Sequence, residues 1–100
     1  IPNEVETIGS CAFAFSALKD ITIPGSVHYI GYNAFSCESL KEVNISDTYL
    51  NIIVTDDYLR FGAGGPGTLV IHPAAFEDSK GNINIGTKTF TIDEFIKLYS

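Results

Sequence analysis

The chain has 100 residues, of which 45% are hydrophobic and 18% charged, so it is long enough for one domain with a buried core and too apolar to be disordered. The formal net charge is −6, and the six lysine and arginine residues are scattered, which argues against a nucleic-acid partner. No apolar run approaches the roughly 18 residues that a membrane-spanning helix needs, so we expect no membrane insertion.

A 22-residue repeat dominates the first half of the chain. Eight positions recur at that one offset: Val5, Ile8, Gly9, Ala12, Phe13, Leu18, Ile21 and Ile23 return as Val27, Ile30, Gly31, Ala34, Phe35, Leu40, Val43 and Ile45. A fixed period of roughly 20–50 residues is typical of proteins built from stacked structural repeats. Because one unit cannot bury its own apolar side, we expect the units to share a continuous core.

Each unit predicts the same local elements in the same order. Gly9 and Gly31 stand where the chain changes direction, and we expect positive φ angles there. The Ala-Phe pair three residues after each glycine predicts a short helical or 3₁₀ turn on the outer side. Strands follow at 18–23 and 40–45, where β-branched residues alternate with polar ones.

The period breaks after residue 46. Strand composition appears at 49–54 and again at 68–73, and the second of these segments resembles a repeat strand displaced by an insertion. Residues 83–90 look extended, and a capping box from Thr91 to Glu94 predicts a short C-terminal helix. We interpret 47–100 as a degenerate repeat and a C-terminal cap, with an inserted recognition element as the alternative.

The second unit, with Ile23-Pro24, Val27, Ile30-Gly31, Ala34-Phe35 and Leu40, resembles the short repeat of the BspA-like leucine-rich-repeat family. The resemblance covers 1–46, as two repeats. It implies a mainly β leucine-rich-repeat solenoid fragment with parallel strands, short convex helical turns and an irregular cap that ends in a short helix. It also implies a non-enzymatic protein, secreted or on the cell surface, that binds other proteins and takes part in adhesion to host or matrix proteins. The alternative is a structural spacer or terminal cap with no ligand of its own.

Stacked parallel strands form a concave sheet, and its outward positions are the predicted binding surface. These positions are Lys19, Asp20, Thr22, Lys41, Glu42 and Asn44. Like charges repeat from one unit to the next, which costs stability and is consistent with a surface that faces a ligand. For any single one of these residues, simple duplication of a solvated face is the favoured interpretation.

The start of the chain falls in mid-repeat, so we expect a fragment in which the first predicted strand, 18–23, has an unpaired edge. An exposed strand edge favours pairing with another chain, and we therefore predict self-association.

No catalytic, metal or cofactor site is predicted. The segment from Gly62 to Gly67 matches the dinucleotide-binding pattern G-x-G-x-x-G, but a strand follows it where that site needs a helix, so we expect a hairpin loop. Cys11 and Cys37 are separated by one repeat plus four residues; a disulfide between neighbouring units remains open, beside the favoured interpretation of Cys37 as a core residue. His28 and His72 lack the spacing of metal ligands.

Overall fold

The computed structural model describes residues 4–56 and 67–100. In these two ranges the chain forms eight strands and one helix: β1 (Thr7–Ile8), β2 (Asp20–Ile23), β3 (Tyr29–Ile30), β4 (Glu42–Ile45), β5 (Asn51–Val54), β6 (Thr68–Ile71), β7 (Asn82–Ile85), β8 (Lys88–Thr91) and α1 (Ile92–Tyr99). The first sheet has the order β1-β3-β6-β5, and the second sheet has the order β2-β4-β7-β8. All pairs are parallel except β7 with β8. The predicted strand-rich repeat fold, with parallel sheets and one short C-terminal helix, is confirmed.

The chain alternates between the two sheets, so that each successive layer adds one strand to each of them. Layer one is residues 7–23, with β1 and β2, and layer two is residues 29–45, with β3 and β4. Their strands pair at the repeat offset, as in the pairing of Ile23 with Ile45. The 22-residue period is therefore the distance along the chain between stacked positions.

A third layer, residues 68–85, continues both sheets through β6 and β7. Ile30 pairs with Ile71, at an offset of 41, so these two stacked positions lie much farther apart along the chain than one repeat. The additional segment contains β5, which pairs with β6 on the side away from layer two. The division of the chain into domains at residue 46 stays a prediction.

The core lies between the two sheets and contains one stack of aromatic rings. Phe13, Phe35 and Phe76 occupy the same position in the three layers. The ring centroids of Phe13 and Phe35 are 5.3 Å apart with planes at 3°, and those of Phe35 and Phe76 are 5.5 Å apart with planes at 10°. Around this stack the core is aliphatic, with Ile23, Val27, Ile30, Leu40, Val43, Leu69, Ile71 and Ile83 fully buried.

The convex turns are not helical, contrary to the prediction. In layer one, the amides of Ala12, Ala14 and Ser16 each donate to the carbonyl three residues earlier. A 3₁₀ helix makes such bonds at successive residues, with negative φ angles throughout. Here Cys11 and Phe15 both have a φ of 59°, which breaks the segment into successive turns.

The expectation of positive φ at Gly9 and Gly31 was wrong, because neither glycine is among the described residues with positive φ. Close packing between layers explains Gly31 instead. A Cβ atom added there would lie 2.9 Å from the amide nitrogen of Ser10 and 3.0 Å from the carbonyl carbon of Gly9. At Gly9 the same addition meets nothing within 4 Å among the described residues.

The C-terminal side of layer three is covered by three elements. β5 lies beside β6, β8 lies beside β7, and α1 contacts β5, β7 and β8. Helix α1 starts at the predicted capping box, in which the Thr91 hydroxyl accepts from the Glu94 amide and the Glu94 carboxylate accepts from the Thr91 amide. Its buried residues, Ile92 and Phe95, join the core.

Tyr49 ties the segment before β5 to the turn between β2 and β3. Its hydroxyl oxygen lies 2.7 Å from the carbonyl oxygen of Pro24 and 2.6 Å from that of Val27. Burial raises the pKa of Tyr49 to about 12, against the smaller lowering effect of the Val27 hydrogen bond. The folded protein therefore keeps this phenol neutral at a pH where the unfolded chain would ionise it.

Replacing Tyr49 with phenylalanine is expected to lower the free energy of unfolding by about 1–2 kcal/mol, because two carbonyls lose their donor. The wild-type chain should also lose stability as the pH rises from 10 towards 12, since its folded pKa exceeds the unfolded value. Urea unfolding of both proteins, at neutral pH and across that alkaline range, measures both effects. The prediction fails if the Tyr49→Phe protein is as stable as the wild type at neutral pH, or if it loses as much stability as the wild type between pH 10 and 12.

Candidate interaction surface

The outer face of the second sheet is polar across all four strands, and we call it the polar face. Alternation along each strand turns one set of side chains towards the core, as with the buried Ile23, Ile45 and Ile83, and the other set outwards. The outward set comprises Asp20, Thr22, Glu42, Asn44, Asn82, Asn84, Thr89 and Thr91. These side chains are exposed or half-buried.

Strand register arranges the polar face in two rows that cross the sheet. One row contains the paired positions Asp20, Glu42, Asn82 and Thr91, and the other contains Thr22, Asn44, Asn84 and Thr89. Neighbouring strands in a sheet lie about 4.8 Å apart, so each row is a line of evenly spaced polar groups.

Hydrogen bonds to Asn84 connect four members of the polar face. The Asn84 side-chain nitrogen donates to Glu42 Oε2 at 2.7 Å and to Asn44 Oδ1 at 3.0 Å. Its side-chain oxygen accepts from Thr89 Oγ1 at 2.9 Å. These partners of the Asn84 side chain all belong to the polar face. The hydrogen bonds therefore hold side chains of β4, β7 and β8 in one arrangement.

The predicted residues fall into two groups in the structure. Asp20, Thr22, Glu42 and Asn44 lie on the polar face, and Asp20 is directly opposite Glu42. Lys19 and Lys41 precede the strands and are exposed. The Lys41 amide donates to the Lys19 carbonyl, so the two lysines are neighbours at the margin of the face.

Four of the eight residues of the polar face, those on β7 and β8, were not predicted from the sequence. Asn82 and Asn84 alternate with Ile83 and Ile85, as Glu42 and Asn44 alternate with Val43 and Ile45, and this was the available signal. The offset between the two strands is 40, so a search at the period of the first two units could not find it. Thr89 and Thr91 join the face through the antiparallel β7–β8 hairpin, which breaks the repeat altogether.

The disulfide that the sequence left open is not formed. Cys11 is exposed and Cys37 is buried, and both are free thiols. The Cys11 amide bonds the Tyr32 carbonyl, beside Asn33, while the Phe15 amide bonds the Ser36 carbonyl, beside Cys37. Cys11 therefore stacks at a different place in the turn from Cys37, because their separation exceeds the repeat by four residues.

Cys37 is a buried residue with a polar environment around its sulfur. The thiol donates to the Ser16 carbonyl at 2.8 Å, and its Sγ lies 3.0 Å from the Ser39 hydroxyl. Burial raises the pKa of the Cys37 thiol, but the hydrogen bonds involving Ser39 and Ser16 together lower it below its usual value. These contacts fix the side chain inside the turn.

The two histidines serve different local contacts. His28 Nε2 lies 3.8 Å from Glu6 Oε1, and its buried Nδ1 has no hydrogen-bond partner in the described structure. His72 Nδ1 accepts from the Ala74 amide at 3.0 Å, and its ring packs edge-on against Tyr32.

Some of the sequence candidates lie outside the described residues. Most of the glycine-rich segment, 62–66, belongs to this part of the chain. Within 4–56 and 67–100, no group of three or more histidine, cysteine or acidic side chains could hold a metal ion. The helix in the same ranges is too short to cross a membrane.

Comparison with known proteins identifies a family that matches the first half of the chain. The model of the BspA type leucine-rich repeat region (6 copies) matches residues 1–56, which confirms the resemblance drawn from the repeat. No curated protein and no solved structure matches the chain.

Proposed function

We propose that this chain, which belongs to the BspA-type leucine-rich repeat family, is a non-enzymatic module that binds another protein through its polar face. The observation that carries the proposal is the hydrogen-bonded arrangement around Asn84. It links Glu42, Asn44 and Thr89 across three strands before any partner arrives.

Preorganisation supports this choice of surface. Side chains that are already ordered lose less conformational entropy when they bind, so more of the interaction energy appears as affinity. Asp20 lies directly opposite Glu42, and like charges at paired positions cost stability. Donor groups of a partner would relieve that cost, because the carboxylates would then accept charge-assisted hydrogen bonds.

The proposed setting is a secreted or cell-surface protein, and the proposed partner is a host or extracellular-matrix protein. Repeats of the BspA type occur in surface and secreted proteins, which supports this setting. Adhesion would then use the polar face as its contact area.

The test is a pull-down from serum and extracellular-matrix extract with the isolated chain, read by mass spectrometry. The test variant carries Asp20→Ala, Thr22→Ala, Glu42→Ala and Asn44→Ala. A matched control changes the same four residue types at exposed positions elsewhere: Glu4, Thr7, Asn51 and Asp56. We expect a partner that binds the wild type and the control and is lost from the test variant.

The alternative proposal is a structural spacer or terminal cap. The cover that β5, β8 and α1 form over layer three favours it, because a terminal unit must close the end of a shared core. A folded chain that captures no partner, or a partner that binds all three proteins equally, would support the alternative over the interaction module.

We also propose that a second copy of the chain pairs at the opposite end of the stack. β1 and β2 are edge strands of their sheets. Beside them is a depression of about 450 Å³ whose lining includes Val5, Ile8, Phe13 and Ile21. Unpaired strand edges next to apolar side chains favour association.

The expected result is concentration-dependent association in sedimentation velocity experiments, reduced by Ile21→Lys, which places a charge in the depression. Leu98→Lys is the control, because it places the same charge on an apolar side chain of α1, away from the depression. A wild-type chain that stays monomeric at high concentration, or an Ile21→Lys protein that associates normally, would contradict the proposal.

A further inference from the structure

A groove of about 500 Å³ crosses the convex turn of layer two, away from the polar face. We call it the turn groove and define it by Phe15, Ser36, Glu38, Ser39 and Asp78. Phe15 comes from layer one and Asp78 from the turn of layer three, while the other three residues belong to layer two. The groove therefore exists only where three layers are stacked.

An inward-facing cysteine opens the groove. Phe15, Cys37 and Asp78 occupy corresponding positions in the three layers. Cys37 is 1% exposed, because its thiol is bonded inside the turn, so no side chain projects from layer two at this position. Phe15 and Asp78 have φ angles of 59° and 68°, and their side chains form the two walls. Two layer spacings separate the walls, about 10 Å.

The walls combine an aromatic face with negative charge. Phe15 is 91% exposed, so its ring is free for a ligand. Glu38 and Asp78 are exposed, and neither forms an ion pair within the part of the chain that the structure describes. Ser36 and Ser39 line the groove between them, beside the apolar surface that Phe15 and Ala17 contribute.

We propose that the turn groove binds an arginine side chain from a basic segment of a protein partner. A guanidinium group is planar and can stack on the Phe15 ring while it donates to carboxylates, a combination that suits arginine better than lysine. Glu38 and Asp78 would repel an anionic ligand. The site is separate from the polar face, so it does not depend on the function proposed there.

The test is an NMR titration of the full chain with the acetylated and amidated tripeptide Gly-Arg-Gly. The control peptide has citrulline in place of arginine, which keeps the shape and removes the charge. We expect saturable shifts of the amides at 15–17, 36–39 and 78 with the arginine peptide and none with the citrulline peptide. Equal shifts with both peptides, or shifts spread over all exposed carboxylates, would overturn the proposal.

Variants separate binding from folding. Asparagine tolerates the left-handed φ region better than phenylalanine, so Phe15→Asn should keep or raise stability while it weakens binding at least about tenfold. Phe15→Leu, which keeps an apolar side chain without a ring, and the pair Glu38→Gln with Asp78→Asn should weaken binding similarly. Asp56→Asn, at an exposed position outside both the turn groove and the polar face, should leave it unchanged. A folded Phe15→Asn or Phe15→Leu protein that binds the arginine peptide like the wild type would refute the site.

Discussion

Replacing Phe35 with alanine is expected to lower the free energy of unfolding by about 3–5 kcal/mol, the largest effect of any single side-chain truncation in the stack. Phe35 is fully buried and lies between the rings of Phe13 and Phe76. Its removal leaves a cavity at the middle layer, where neither neighbouring layer can close without breaking its strand pairing. Urea unfolding followed by circular dichroism measures the change.

Phe13 provides the matched comparison for Phe35. It occupies the same repeat position, but it is half-buried and has one stacked neighbour in the described structure. Phe13→Ala should therefore cost clearly less than Phe35→Ala. If the two truncations lowered the free energy of unfolding equally, the deeper burial and the second stacked ring of Phe35 would add no stability.

The first two layers could be predicted because their spacing is constant. Once Val27 repeats Val5 and Ile45 repeats Ile23, strand positions and buried faces follow from alternation. Layer three was harder to recognise. Its strands β6 and β7 follow their partners β3 and β4 at offsets of 41 and 40. The chain that leads to β6 is therefore longer than one repeat, and the segment from Phe76 to Asn82 is one residue shorter than the corresponding segment of layer two. Strands can pair in register whatever the length of the chain between them, but a repeat of fixed period is recognised in the sequence only when that length is constant.

Backbone conformation was the least predictable feature of the turns. Glycine is the usual residue at positive φ, yet Cys11 and Phe15 adopt it here and Gly9 and Gly31 do not. Glycine is required at position 31 because layer one lies so close to it. The sequence of a single repeat carries no information on that distance. The same limit applies to the turn groove, because its walls come from layers one and three.

The close approach of layers two and three at Gly81 predicts the second large effect. Gly81→Ala is expected to lower the free energy of unfolding by about 3 kcal/mol, at the upper end of the usual cost of overpacking. An added Cβ would lie 2.7 Å from the Lys41 Cα and closer still to the Lys41 carbonyl group. These are backbone atoms, and the same carbonyl accepts the Asn82 amide at 2.8 Å, so relief of the clash would disrupt the start of the β4–β7 pairing. Urea unfolding of the variant and the wild type measures the loss.

The shortened connection in layer three explains why glycine is needed at this position. The corresponding positions in the first two layers, Lys19 and Lys41, carry long side chains. The Glu42 amide donates to the Lys19 carbonyl just as the Asn82 amide donates to the Lys41 carbonyl. Seven residues lead from Phe35 to Glu42 but only six from Phe76 to Asn82, so the chain passes closer to layer two. Gly9→Ala is the control, since nothing described lies within 4 Å of the added atom, and its stability should stay within about 0.5 kcal/mol of the wild type or rise slightly. If Gly81→Ala proved as harmless as Gly9→Ala, the close approach of layers two and three would be wrong, and with it the register that brings Asn84 onto the polar face.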